Sequence, residues 1–197
     1  MTGLIAAVMV HASACGNDGD DLPPPAEAPN PATTSPPEPT LDERDAAAWE
    51  EIQTKFDGFM ETWIKWSAEG RPRSFEDPVT ADFNEYSEFQ ARDHAIGQLD
   101  QETRDGQIRT GEPTWFDPRL LGIDWDRKVQ DLVVPEAVFE ICVDDSQWIV
   151  VDAESGEPAG VQPLGRRLWT VRAWWAEERE FGTDGWALSQ LEVGGSC

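Results

Sequence analysis

Large apolar residues recur at spacings of three and four in one long stretch of the chain. The stripe consists of Trp49, Ile52, Phe56, Phe59, Trp63 and Trp66, and Met60 and Ile64 widen it. This spacing predicts a long amphipathic helix. Thr40 and Glu43 have the spacing of a capping box, and Gly70 and Pro72 are helix-stop signals, so the helix should span about 28 residues. The stripe could be a partner-binding face, but packing on a sheet requires the same spacing, and we assign it to the core.

The rest of the chain changes from helical to strand-like spacing at Gly106. Asp77 and Pro78 form a helix-start signal, and the following stretch predicts two shorter helices with a break between Tyr86 and Phe89. Beyond Gly106, β-branched runs between turn residues predict strands at 107–115, 120–125, 129–134, 137–143, 147–151, 167–176 and 186–193. Helices followed by antiparallel strands indicate an α+β fold, with the N-terminal helices packed on one face of a curved sheet.

The chain begins with a stretch of small apolar residues, Gly3 to Ala14, that carries no charge. It is too short to cross a bilayer and has the length of the hydrophobic region of a signal peptide. Ala12-Ser13-Ala14-Cys15 is similar to a lipobox, in which small residues precede a cysteine that receives lipid. We therefore expect residues 1–14 to be a lipoprotein signal peptide and Cys15 to be lipidated. The alternative is a buried N-terminal helix or strand.

The next stretch has the composition of a linker. Gly16 to Thr40 holds eight of the fifteen prolines and five acidic residues, with no basic residue. Such a segment cannot form a packed core. Its proline-dense part, Pro23 to Pro39, should favour polyproline II, and at about 3.1 Å per residue would hold a domain up to ~50 Å from its anchor. We expect a disordered acidic tether over 15–40 and one domain over 41–197.

The net charge is −24, from 39 acidic and 15 basic side chains. This balance argues against nucleic-acid binding and against polybasic docking on anionic lipid, because both depend on clustered Lys and Arg. The chain has no CxxC, HExxH, GxGxxG or P-loop string, so we expect no metal and no cofactor. The remaining partners are the membrane through the lipid anchor, an envelope protein or a small apolar ligand. Homodimerisation stays open.

Several short strings carry a resemblance to a known family. They are Gly106-Gln-Ile-Arg-Thr-Gly111-Glu-Pro113, Cys142-Val-Asp144-Asp145-Ser146-Gln-Trp148, Gly165-Arg166-Arg167, Gly185-Trp186 and the C-terminal Cys197. With the order of helices and strands, they resemble a group of actinobacterial secreted lipoproteins that have nuclear transport factor 2-like domains. The resemblance covers about residues 41–197 and implies a cone-shaped α+β fold shared with ketosteroid isomerase and polyketide cyclases. It leaves the ligand open.

The cysteine count agrees with export. If Cys15 is acylated, Cys142 and Cys197 remain as an even pair, and an oxidising compartment would join them. The alternatives are two free thiols or an intermolecular bridge from Cys197.

Candidate site residues follow from the same strings and from the aromatic residues of the strands. Asp144 and Asp145 could hydrogen-bond turn amides, bind a cation, or act as acid and base at the mouth of the cone, and we interpret them as turn residues. Trp148 lies on a predicted strand and is a candidate residue of the binding surface or pocket. Tyr86 could line that mouth. Trp174 and Trp175 are adjacent on a strand and must point to opposite faces, so we expect one of them to be exposed or to contact a partner. His94 could be a base, but no nucleophile pattern accompanies it, and we interpret it as an ordinary helix residue.

These observations favour a lipid-anchored binding or interaction module on the extracytoplasmic face of the cell membrane, without catalytic residues. An isomerase-like or cyclase-like enzyme is the alternative, since the resembling fold includes such enzymes. A third interpretation is a phage-encoded or prophage-encoded envelope protein that acts in superinfection exclusion. A pocket with ionisable side chains would favour the enzyme, and one filled by Trp and Phe would favour the binding module.

Overall fold

The first helix is the long amphipathic one. In a computed structural model that describes residues 41–70, 78–177 and 184–197, helix α1 runs over Glu43–Glu69. Its N-cap is Asp42, whose carboxylate accepts a hydrogen bond from the Asp45 N–H at 2.8 Å. The prediction of a capping box starting at Thr40 is therefore wrong, because Asp42 has the spacing that reaches a free amide of the first turn; Thr40 itself lies outside the described residues. Gly70 ends the helix with φ 75°.

Two shorter helices follow, as predicted. Helix α2 covers Pro78–Asn84 and helix α3 covers Phe89–Arg104. Asp77, the predicted start signal, lies outside the described residues. The break contains Tyr86 and Ser87, whose amides still donate to the Phe83 carbonyl at 3.1 and 2.9 Å. The Leu188 N–H then donates to the Tyr86 carbonyl at 2.9 Å, so the break is fixed against a strand.

The main sheet has four antiparallel strands in the order β2-β5-β7-β8. These strands are β2 Thr114–Asp124, β5 Glu136–Asp144, β7 Arg166–Ala176 and β8 Gly185–Val193. The short strand β1 Gln107–Thr110 pairs with β6 Ile149–Asp152. Strands β3 Lys128–Val129 and β4 Leu132–Val133 form a small hairpin. The fold class is thus α+β, as predicted.

Three strand predictions are wrong in their boundaries, and one of them, 120–125, covers only the second part of β2, which already begins at Thr114. The predicted strand 107–115 is divided into β1 and β2, because Gly111 has φ 75° and turns the chain from one sheet to another. The predicted strand 129–134 is a hairpin that turns at Gln130 and Asp131, both with positive φ. A two-residue turn of this kind matches the twist of paired strands.

The apolar stripe of α1 packs against the main sheet. Rings of Trp49 and Phe56 lie 5.2 and 5.7 Å from the ring of Phe139 on β5. Along β5, Ala137, Phe139 and Ile141 are buried at alternate positions. The assignment of the stripe to the core is confirmed. Among the described residues, no helix is long and apolar enough to cross a membrane.

A disulfide closes the C-terminal end of the fold. Cys142 on β5 is bonded to Cys197, with Cα atoms 6.0 Å apart. The residues between β8 and Cys197 continue the pairing with β7: the Gly194 N–H donates to the Leu168 carbonyl at 2.8 Å, and the Leu168 N–H donates to the Gly195 carbonyl at 2.9 Å. The predicted pairing of the two cysteines is confirmed.

Candidate functional site

A pocket of about 220 Å³ lies between the helices and the ends of the strands. Three tryptophans form much of its wall: Trp63 from α1, Trp148 just before β6, and Trp169 from β7. Their rings meet at Trp63, whose centroid lies 5.6 Å from that of Trp148 and 6.2 Å from that of Trp169. All three side chains are buried. One edge contact and one tilted contact thus hold the rings in place, so the wall is apolar and preformed.

A buried ion pair lies beside this wall. Arg109 of β1 lines the pocket, and its Nε and Nη2 donate to Oε1 of Glu102 at 2.8 and 2.6 Å. Gln98 donates to the same oxygen at 3.1 Å. The Arg109 guanidinium also lies over the ring of Trp148, 4.4 Å from its centroid. The cation is therefore held by a carboxylate on one edge and by an aromatic face.

His94 of α3 also lines the pocket. Its ring meets Trp63 edge-on, with centroids 5.8 Å apart, while another side of the imidazole remains open to solvent. This partial burial lowers the pKa of His94 from 6.5. The imidazole is therefore mainly neutral at pH 7 and can accept a proton.

Asp144 and Asp145 organise the loops at the edge of the pocket. Asp144 accepts hydrogen bonds from the Ser146 N–H at 3.0 Å and from Arg166 Nε at 3.1 Å. Hydrogen bonds from Ser146 and then from Arg166 lower the pKa of Asp144. Asp145 lines the pocket and accepts from the Gly165 N–H at 2.7 Å. These two carboxylates thus tie the turn after β5 to the loop before β7.

The other predicted site residues lie elsewhere. Tyr86 packs on Gly58 of α1, and burial together with nearby Glu85 and Glu61 raises its pKa. Trp175 packs against the core. Trp174 donates through Nε1 to Glu136 at 2.9 Å.

The sequence predicts that one of the two adjacent tryptophans is exposed or contacts a partner, but neither is exposed, since both are half-buried. Trp174 is not exposed because two neighbours cover it. The centroid of the Phe89 ring lies 5.3 Å from that of Trp174, and the Arg127 guanidinium lies 4.7 Å from the indole centroid. Of the predicted residues, the pocket therefore brings together Asp145 and Trp148, with Asp144 beside them.

The mouth of the pocket has an apolar rim. Val161, Leu164 and Val193 line the pocket and are 83%, 64% and 52% exposed. Sequence reasoning missed this rim, Arg109 and the position of His94 in the pocket wall. One signal was present: Glu102 falls on the buried stripe of α3 with Ala91, Ala95 and Leu99, and a carboxylate in that position requires a buried partner.

The pocket combines a fixed aromatic wall with hydrogen-bond donors, a base and an apolar entrance, which suits it to hold a small flat molecule. Among residues 41–70, 78–177 and 184–197, no group of three or more His, Cys, Asp or Glu side chains could hold a metal ion. Comparison of the chain with protein-family models gives no match, and comparison with curated proteins gives none either.

Proposed function

We propose that this protein is a lipoprotein of the extracytoplasmic face of the cell membrane and that its domain is a non-catalytic binding module. Lipid on Cys15 would anchor it, and residues 15–40 would tether the domain. The observation that carries the binding proposal is the tryptophan-walled pocket with its buried Arg109–Glu102 pair. A preformed pocket with a few fixed polar groups is typical of small-molecule binding sites.

The finer fold that we propose is the nuclear transport factor 2-like cone. A long helix packed on an antiparallel sheet supports it, and so do the register shifts between β2 and β5 and between β7 and β8. Such bulges bend the strands that carry them and increase their twist. A bent sheet would leave space under the helices at the position where the pocket lies.

Binding is favoured over catalysis because two charged groups of the pocket, Arg109 and Asp145, already have partners. Arg109 is bonded to Glu102, and the Asp145 carboxylate accepts from the Gly165 amide. A general acid or base must be free to exchange a proton with a substrate. Groups fixed in this way serve to orient a ligand.

The pocket can be tested with a neutral flat probe, 2-naphthamide, by titration calorimetry. Replacing Trp148 with Ala should weaken binding at least tenfold, because the probe loses one wall and the stacked Arg109 loses its support. Trp174→Ala is the matched control, since Trp174 lies outside the pocket, and it should leave affinity unchanged. Equal losses of affinity in both variants, or a loss of affinity only in Trp174→Ala, would show that the probe binds outside the pocket.

The anchor can be tested separately. Cys15→Ser should release the protein from the membrane fraction, because the proposed acyl chains would be absent. Sedimentation with membranes that is unchanged by this substitution would refute lipid anchoring and leave the pocket unaffected.

His94 favours one second function, an isomerase-like or cyclase-like enzyme. Its imidazole lines the pocket and is available as a base because burial lowers its pKa. For such an enzyme, His94→Gln would abolish turnover of a small apolar substrate while leaving its binding intact. For a binding module, no turnover exists to be lost.

A further inference from the structure

Arg109 presents an unused edge of its guanidinium group at the pocket. From this geometry, we propose that the pocket recognises a small molecule with a flat apolar body and one carboxylate group, and that Arg109 binds the carboxylate. The inference rests on the proposed binding function and adds the chemical class of the ligand.

A guanidinium group has two edges that can each grip a carboxylate. Glu102 occupies the edge formed by Nε and Nη2, at 2.8 and 2.6 Å. The other edge, formed by Nη1 and the second N–H of Nη2, has no hydrogen-bond partner among the described residues. The Arg109 side chain is 10% exposed, and Nη1 is not among the fully buried polar atoms that lack a partner in the described part of the chain, so solvent or a ligand can reach this edge. A planar carboxylate is the acceptor that fits this fork with two parallel hydrogen bonds.

The surroundings hold the fork in one orientation. Glu102 fixes one edge, and the face of Trp148 supports the plane of the guanidinium group at 4.4 Å. The fork is therefore already oriented for a ligand carboxylate.

The body of the ligand follows from the wall and the volume. Trp63, Trp148 and Trp169 offer flat apolar surfaces, and about 220 Å³ admits one or two fused rings but no large lipid. The exposed rim of Val161, Leu164 and Val193 gives such a body an apolar path to the wall.

Hydrogen-bond geometry, and not net charge, selects the ligand. Two arginines, Arg109 and Arg167, line the pocket with one carboxylate, Asp145, and Glu102 neutralises Arg109. The Asp145 carboxylate is bonded to the Gly165 amide, so one of its oxygens is already satisfied. An acidic exterior repels anions at long range, so short-range hydrogen bonds must supply the selectivity.

The test compares 2-naphthoate with 2-naphthamide, which share a body and differ in charge, by calorimetry on the detergent-solubilised full chain. The carboxylate should bind on the order of tenfold more tightly than the amide, as expected for charge-assisted hydrogen bonds. The double variant Glu102→Gln/Arg109→Gln removes both charges and keeps a polar pair of similar size. It should reduce the preference to within about twofold. Arg119→Gln, at an exposed position of β2, is the control and should keep the full preference.

A second variant distinguishes loss of the guanidinium fork from misfolding of the domain. Arg109→Lys keeps the positive charge opposite Glu102 but loses the planar fork, so the preference should fall several-fold while the melting temperature changes little. Equal affinity of the wild-type protein for the two probes, or an unchanged preference in Arg109→Lys, would overturn the carboxylate inference and leave the binding pocket standing. If neither probe binds to the wild-type protein, both proposals fall.

Discussion

Loss of the Cys142–Cys197 disulfide should destabilise the domain because the unfolded chain gains conformational entropy. The bond joins residues separated by 55 positions, and the chain-entropy relation for a loop of that length gives about 4 kcal/mol. Cys197 is exposed, so Cys197→Ser removes few native contacts other than the bond itself. For a domain of this size, 1 kcal/mol corresponds to roughly 2–4 °C in melting temperature. We therefore expect Cys197→Ser to melt about 8–16 °C below the wild-type protein.

The assay is thermal unfolding followed by circular dichroism, with and without a phosphine reductant. The reductant should lower the melting temperature of the wild-type protein to that of Cys197→Ser and should leave the variant unchanged. Removal of the disulfide should also affect the pocket, because Val193 lines the pocket and the carbonyl of the following Gly194 accepts a hydrogen bond from Arg167. Binding of 2-naphthamide should thus weaken in the variant.

Two results would refute this reasoning. A melting temperature of Cys197→Ser within about 2 °C of the wild-type value would show that closing the loop contributes little. Two thiols that react with an alkylating reagent in the folded, unreduced protein would show that the bond is absent.

Further substitutions test other parts of the structure. Gly111→Ala should destabilise the domain by about 1–3 kcal/mol in denaturant unfolding, because φ is 75° and a Cβ would meet the Gln147 carbonyl. Gly97→Ala, with no atom near its Cβ position inside α3, should instead stabilise the domain by up to about 1 kcal/mol. A stabilised Gly111→Ala or a destabilised Gly97→Ala would contradict the geometry. Because burial lowers the pKa of His94 from 6.5, the unfolded chain takes up the proton first, and stability should fall as the pH drops below 6.5. His94→Gln should flatten this part of the curve of melting temperature against pH, and an identical slope would exclude His94 as the cause.

Local patterns in the sequence predicted the elements that depend on neighbouring residues. The stripe of α1 was recognisable because its apolar residues share one face whatever they pack against. The break near Tyr86 and the pairing of Cys142 with Cys197 were also predictable. The division of strand 107–115 was also predictable, because Gly111 and Pro113 are turn residues inside that run, although the strand prediction did not use them. The hairpin at Gln130 and Asp131 was harder to predict, because both have positive φ without the glycine that normally signals such a turn.

The candidate site likewise has one part that the sequence could have revealed and one part that it could not. Its aromatic wall joins Trp63, Trp148 and Trp169, which come from three distant parts of the chain, so no local spacing could have grouped them. The ion pair is different, since Glu102 and Arg109 are only seven residues apart, on α3 and on the strand that follows it. A carboxylate on the buried stripe of a helix needs a cation within reach, and the next strand supplies one. This pair was the part of the site that the sequence could have revealed, and the ligand proposal rests on it: a guanidinium group whose first edge is taken by Glu102 can bind a ligand only through its second.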